Sequence, residues 1–254
     1  MGAFGRPESG YHATVGLAAG QDYRRRVMSV MQTTQENPSV IRKGKFFYVF
    51  LCQVLLLVVF PYLKEPGLPL VLFRLLVAVA FVSGLYAVSD KRAQWMAALA
   101  LAIPAVALNI VFAFRPDPQI AVPMLIFTIL FLVLTLVSLL QAVVRAERAT
   151  HDTIYGALSV YLLMAIAWAA AYSLLVTIHP GAIVMDAARH PNHKMDWFDC
   201  VFYSFVTLTS QGNGDIVAMT AQARSLSILE AVSGTMYVAI LVARLVSLYS
   251  SAKS

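Results

Sequence analysis

Of the 254 residues, 59% are hydrophobic and 13% charged, roughly half the charge a soluble domain carries. The apolar residues fall in blocks long enough to cross a bilayer, which excludes a soluble globular enzyme and implies an integral membrane protein. The formal net charge of +6 is spread over the ends of those blocks, so it is an orientation signal and not a nucleic-acid patch.

Residues 1–44 mix Gly, Ser and Thr with the basic clusters Arg24-Arg25-Arg26 and Arg42-Lys43. They read as a cytoplasmic N-terminal tail with one amphipathic turn near Tyr23–Met31. The arginine run is read as a solvated flank of the membrane rather than a lipid-specific site. No signal peptide is visible, so the first apolar block is expected to stay as a membrane helix.

Six apolar spans follow, at Phe46–Leu63, Leu68–Val88, Ala93–Phe114, Ile120–Val144, Ile154–Ile178 and Ala221–Tyr249. Each is long enough to approach or cross a hydrocarbon core of about 30 Å at about 1.5 Å per residue. The first three close in short loops of Pro, Gly or charge: Lys64-Glu65-Pro66-Gly67, Asp90-Lys91-Arg92 and Arg115-Pro116-Asp117-Pro118. With the N-terminus in the cytoplasm, twelve basic residues fall inside and five outside. Both termini are therefore expected inside a cell membrane, with the segment between the fifth and sixth spans outside. A voltage sensor needs a cation at every third position. The fourth span has none, since Arg145 and Arg148 come only at its end. Arg74 is an isolated cation in the second span, read as snorkelling or paired with a group such as Asp90. Cys52 and Cys200 form no CxxC pair and are read as packed thiols.

Between the fifth and sixth spans, His179–Met195 reads as a solvated outer loop. Its His190-Pro191-Asn192-His193 is more simply part of that loop than a metal site. Asp196 is a plausible N-cap for an apolar segment running from Trp197 through Phe205 and Thr207 to Thr209, with Asp199 in its first turn. Thirteen residues give about 20 Å of helix, too short to span a bilayer. Such a helix enters halfway and must turn back. Then comes Thr209-Ser210-Gln211-Gly212-Asn213-Gly214-Asp215. Gly212 and Gly214 permit a backbone whose carbonyls point to one side. Irregular backbone at membrane depth is tolerated where it lines a water-filled path, and rings of carbonyls replace the water around an ion.

At this point a resemblance emerges. Residues 196–250, and about 154–250 with the fifth span, resemble the pore module of the potassium-channel superfamily, of the bacterial two-helix type. Thr209 to Asp215 is similar to the family's Thr-Thr-Val-Gly-Tyr-Gly-Asp. Gln211 stands where the family has Val, and Asn213 where it has an aromatic. Arg224 to Gly234 is similar to the start of the family's inner helix, with Gly234 where such helices bend. Glu230, two turns into the last span, reads either as bracing the back of the pore or as a paired structural carboxylate. The resemblance implies an all-α membrane protein, with six transmembrane helices plus a re-entrant pore helix and filter loop. Residues 45–150 would be a four-helix domain without voltage-sensor arginines, and 151–254 the pore domain. It further implies a homotetramer in a lipid bilayer, because one chain supplies one column of carbonyls. The permeant ion would be potassium or another monovalent cation, passing Ser210–Gly214, with no cofactor, catalytic residue, small-molecule substrate or bound metal. The replacements at 211 and 213 predict weaker potassium selectivity, and leave open a pore-like subunit that does not conduct. Gly212-Asn213-Gly214-Asp215 also fits the Gly-x-Gly-Asp of intramembrane aspartyl proteases, but that chemistry needs a second aspartate inside a neighbouring span. Asp90, Asp152 and Asp199 all lie at span ends or in the short helix. About five residues follow the last span, so no fused ligand-binding domain is expected there, and the gating stimulus is unspecified.

Overall fold

The computed structural model describes residues 45–59, 62, 77, 79–86, 92–146, 150–186, 195–212 and 214–251. The N-terminal tail, most of the second span with Arg74 and Asp90, the His190–His193 motif and Asn213 lie outside the described residues.

The long elements are helices: α1 (Lys45–Val59), α2 (Arg92–Phe114), α3 (Pro118–Arg145), α4 (His151–Ile178), α5 (Trp197–Leu208) and α6 (Ala221–Ser251). Residues 79–86 are also helical. Among the described residues four helices are long and apolar enough to cross a membrane, namely α2, α3, α4 and residues 221–247 of α6. At 15 residues, α1 reaches about 22 Å and falls short of a full crossing within its described part.

The helix boundaries have local causes. The Asp117 carboxylate accepts from Gln119 N at 2.9 Å and Pro118 opens α3, so this helix begins two residues before the expected Ile120. The Thr150 hydroxyl accepts from Thr153 N at 3.2 Å and starts α4 at His151, three residues before the expected Ile154. In α3 the buried positions Ala121, Leu125, Leu132, Thr135, Leu139 and Val143 recur at spacings of three, four and seven, which puts them on one stripe. That stripe faces α4, the central helix, which also packs on α1, α5 and α6.

Four clusters order the interior among the described residues, the smallest being Met164, Ala165 and Leu208. Phe81, Ala98, Ala102, Phe131 and Leu163 join residues 79–86 to α2, α3 and α4, with the Phe81 and Phe131 rings stacked at 4.7 Å. Val49, Leu139 and Val160 join α1, α3 and α4. Tyr172, Ile183, Cys200, Tyr203 and Ile216 tie α4 to α5. Polar ties fasten one end of the bundle: Phe46 N donates to Asp152 Oδ1 at 3.1 Å, and the Arg244 guanidinium donates to the carbonyls of Val144 and Ala146. A cation on the last carbonyls of α3 also complements that helix's negative end.

The fold departs from an all-helical reading in one place. Ile183–Met185 (β1) and Ile216–Ala218 (β2) pair antiparallel, Val184 opposite Val217. The loop after α4 is therefore not simply a solvated turret. Ile183 and Ile216 are buried, at 2% and 3% exposure, and Val184 and Val217 face outward. This period-two pattern covers only three residues per strand, too few to read against the apolar background. The left-handed turn at Gly181, φ 89°, delivers the chain into β1, and Met219 N donates to Ala182 O at 2.9 Å to close the pair.

The capping box of α5 is reciprocal. Asp199 N donates to Asp196 Oδ1 at 3.0 Å and Asp196 N to Asp199 Oδ2 at 2.7 Å. Asp196→Ala removes the cap acceptor and should cost about 1–2 kcal/mol. Thermal unfolding of purified protein in detergent should show a lowered midpoint, with Asp196→Asn, whose amide oxygen still accepts, recovering most of the loss; an unchanged midpoint for Asp196→Ala contradicts the assignment.

Candidate functional site

The site begins with α5. Its twelve residues from Trp197 to Leu208 give about 18 Å of helix, one residue shorter than expected because Thr209 is the C-cap. Phe205 lies in its last turn and packs against the α4–α5 core, and Thr207 lines a recess that also meets Ser210, Gly212 and Val217.

The chain then reverses. Thr209 Oγ1 donates to Phe205 O at 2.7 Å, Ser210 N to Thr207 O at 2.9 Å and Gln211 N to Val206 O at 3.0 Å. Ser210 and Gly212 both take positive φ, 56° and 72°. The left-handed region is routine for glycine and uncommon for serine. Thr209, Ser210, Gln211, Gly212 and Gly214 are exposed in the single chain. Asp215 returns the chain to the fold, its carbonyl accepting from Asp186 N at 2.8 Å just before β2. The β1–β2 pair thus anchors the far side of this loop, and the capped helix anchors the near side.

Behind the loop lies a buried carboxyl group. Glu230 of α6 is 0% exposed. Its Oε2 accepts from Tyr172 Oη of α4 at 2.6 Å, and its Oε1 is hydrogen-bonded to Ser204 Oγ of α5. Ser204 Oγ is also 2.7 Å from Ala165 O of α4. A charge or polar group buried without partners is costly; this one has a partner on each neighbouring helix. A parallel set runs alongside, where Ser227 Oγ donates to Ala223 O at 2.9 Å. With that hydrogen committed, Tyr203 Oη is the donor in its 2.7 Å bond to Ser227. The rings of Tyr172 and Tyr203 meet edge-on at 5.0 Å. Tyr237 Oη of α6 donates to Ala157 O of α4 at 2.7 Å.

Gly234 sits where α6 crosses the end of α5. A Cβ there would collide with the Leu208 carbonyl oxygen and lie 2.9 Å from Leu208 Cδ1. The helix is continuous through this glycine, so the structure gives it a packing role, the close approach of two backbones. Tyr172, Ser204, Tyr203 and Ser227 were not singled out from sequence. A buried Glu230 calls for donors, but hydroxyl residues are scattered along α4 and α5, and spacing does not say which meet it.

With this geometry in place, comparison with known proteins is informative. A family model described as "Ion channel" matches residues 160–251. The stretch takes in most of α4, all of α5, the loop and α6. No curated protein and no solved structure matches the chain. The match supports an ion-channel pore module at residues 160–251, and the long apolar helices support a membrane protein. Nothing in the match points to Gly-x-Gly-Asp protease chemistry.

Two variants probe the packing. Glu230→Ala leaves the Tyr172 hydroxyl buried without its acceptor, takes one of two partners from Ser204 and opens a cavity, and should destabilise by about 2–4 kcal/mol. Glu230→Gln should be close to neutral, since its amide accepts from Tyr172 and donates to Ser204 while Ser204 donates to Ala165. Chemical or thermal unfolding in detergent separates these; equal losses for both variants contradict the network.

Proposed function

We propose that the protein is a homotetrameric cation channel of the potassium-channel superfamily, with both termini cytoplasmic and a filter formed by Ser210–Gly214 of each chain. The observation that carries this reading is a capped helix too short to cross a bilayer, ending in an exposed loop with alternate residues at positive φ. Carbonyls turned to one side of one chain make an ion site only when several chains surround an axis. One such loop per chain calls for a ring of identical subunits.

The exposed apolar face of α6 supports this assembly. Ile228, Leu229, Val232, Met236 and Ile240 are each more than half exposed, as expected of an inner helix that meets neighbouring subunits and a central cavity. The C-terminal, negative end of α5 points where a cation leaving the filter would rest.

Selectivity follows from how firmly the carbonyls are held. The family's aromatic at position 213 packs behind the filter, whereas Asn213 offers an amide. Gln211 replaces a branched hydrocarbon with a polar group. The filter is therefore held less rigidly, and monovalent cations are discriminated weakly. No row of arginines drives the opening, so the pore is not conventionally voltage-gated.

Purified full-length protein in liposomes, with potassium on one side and sodium on the other, tests the proposal. It predicts cation flux with a reversal potential showing only modest potassium preference. Gly212→Ala, which forces a Cβ into φ 72°, should lower flux at least tenfold. Absence of flux in the wild type would overturn conduction, and a strong potassium preference would overturn the selectivity argument.

A further inference from the structure

Ser204 Oγ of α5 meets two oxygens, Ala165 O of α4 at 2.7 Å and Glu230 Oε1 of α6. A carbonyl oxygen carries no hydrogen, and a serine hydroxyl carries one. That hydrogen can serve the Ala165 carbonyl or the carboxyl group, not both. Tyr172 Oη spends its own hydrogen on Glu230 Oε2, at 2.6 Å. With an ionised carboxylate, three oxygen–oxygen contacts share two hydrogens, and one contact sets lone pairs against lone pairs. With a carboxylic acid the count closes. Oε1–H donates to Ser204, Ser204 donates to Ala165 O, and Tyr172 donates to the carbonyl oxygen Oε2. Such a chain, with every member satisfied, is the arrangement a buried polar network requires.

The surroundings agree. Glu230 is 0% exposed, and among the described residues its bonded partners are Tyr172 and Ser204, with no cation. The titratable groups around it are phenols and one thiol. Tyr172 and Tyr161 come from α4. Tyr203 of α5 meets the Tyr172 ring, and Tyr237 of α6 stacks on Tyr161. Cys200 of α5 lies in the same core cluster as Tyr172 and Tyr203. A buried charge with no opposite charge beside it is costly, and a neutral acid with its bonds made avoids that cost.

We infer that Glu230 is an uncharged carboxylic acid that donates to Ser204, and that its proton holds α5 in its seat against α4. When the proton leaves to hydroxide, the Ser204 hydrogen turns to the carboxylate. Ser204 Oγ and Ala165 O then face each other with no hydrogen between them, and α5 is pushed off α4 at Ser204. The same helix delivers the chain to Ser210, so Glu230 is a positioning residue for the loop, acting through Ser204 and sensitive to alkali.

Infrared spectroscopy of full-length protein in an ester-free detergent reads the proton. At about pH 7 ordinary carboxyl groups are ionised, so a carboxylic-acid carbonyl band reports a protonated one. The wild type should show this band, Glu230→Gln should lose it, and Tyr172→Phe should move it to higher frequency, because the carbonyl oxygen loses its donor. Carbon-13 in the glutamate carboxyl groups should shift the band, which identifies it without any substitution. A wild type with no such band, or a band undiminished in Glu230→Gln, overturns the protonation.

Amide hydrogen exchange of the peptide over residues 205–212 reads the seat, with wild type and Glu230→Gln compared at the same pH. Rates should match at about pH 6 and be about threefold or more faster in the wild type at about pH 9, with the band fading over the same range. Matching rates at both pH values overturn the switch. Neither readout needs ion flux, so a pore that does not conduct overturns the proposed function and leaves this inference to be decided by the band and the exchange rates.

Discussion

The pore half of this molecule depends on one buried carboxyl group. Glu230 is hydrogen-bonded to α4 and α5 while belonging to α6, so three helices share a single polar junction. An acidic side chain in an apolar interior is tolerated only where partners surround it. That requirement fixes the rotation of α6 about its axis and the depth of α5 against α4. The Leu208–Gly234 contact fixes how closely α5 and α6 approach. With these two constraints met, the end of α5 has one position, and the loop that follows starts from a defined place.

The loop itself is held by its two ends. On one side the backbone bonds to Thr207 and Val206 continue the helix into a reversal; on the other, the Asp215 carbonyl joins the short sheet. Between them the two glycines stand open: a Cβ added at Gly212 or Gly214 would meet nothing within 4 Å. Thr209 to Gly212 and Gly214 are exposed in the single chain. In a membrane this is stable only against water, an ion or neighbouring chains, which is why the proposed assembly and the proposed function stand or fall together.

Much of this was legible in sequence because it rests on local rules. The cap at Asp196, the shortness of α5, the paired glycines and the long apolar spans each follow from composition or spacing; the structure reproduces the cap, the short helix and four of the six expected spans within a few residues. Glu230 stood out as a carboxylate in an apolar helix. Its partners did not, because Tyr172 and Ser204 are 58 and 26 residues away in the chain and nothing in their own neighbourhoods marks them. The β1–β2 pair was hidden for a different reason, since three-residue strands carry too little pattern. The tie made by Arg244 was hidden in the same way, since it closes the end of α3 about 100 residues earlier. In each case the missing information is a long-range contact, and periodicity within one element cannot encode it.

The central claim is that Ser210–Gly214 from several identical chains surround one axis and hold an ion there. The most direct measurement is an experimental structure of the detergent-purified assembly in a rubidium salt, with ion positions located by their scattering. The account predicts a four-fold ring with density between the carbonyls of these residues. A monomer, or an assembly in which this loop faces lipid or the outer surface with no ion beside it, would contradict it.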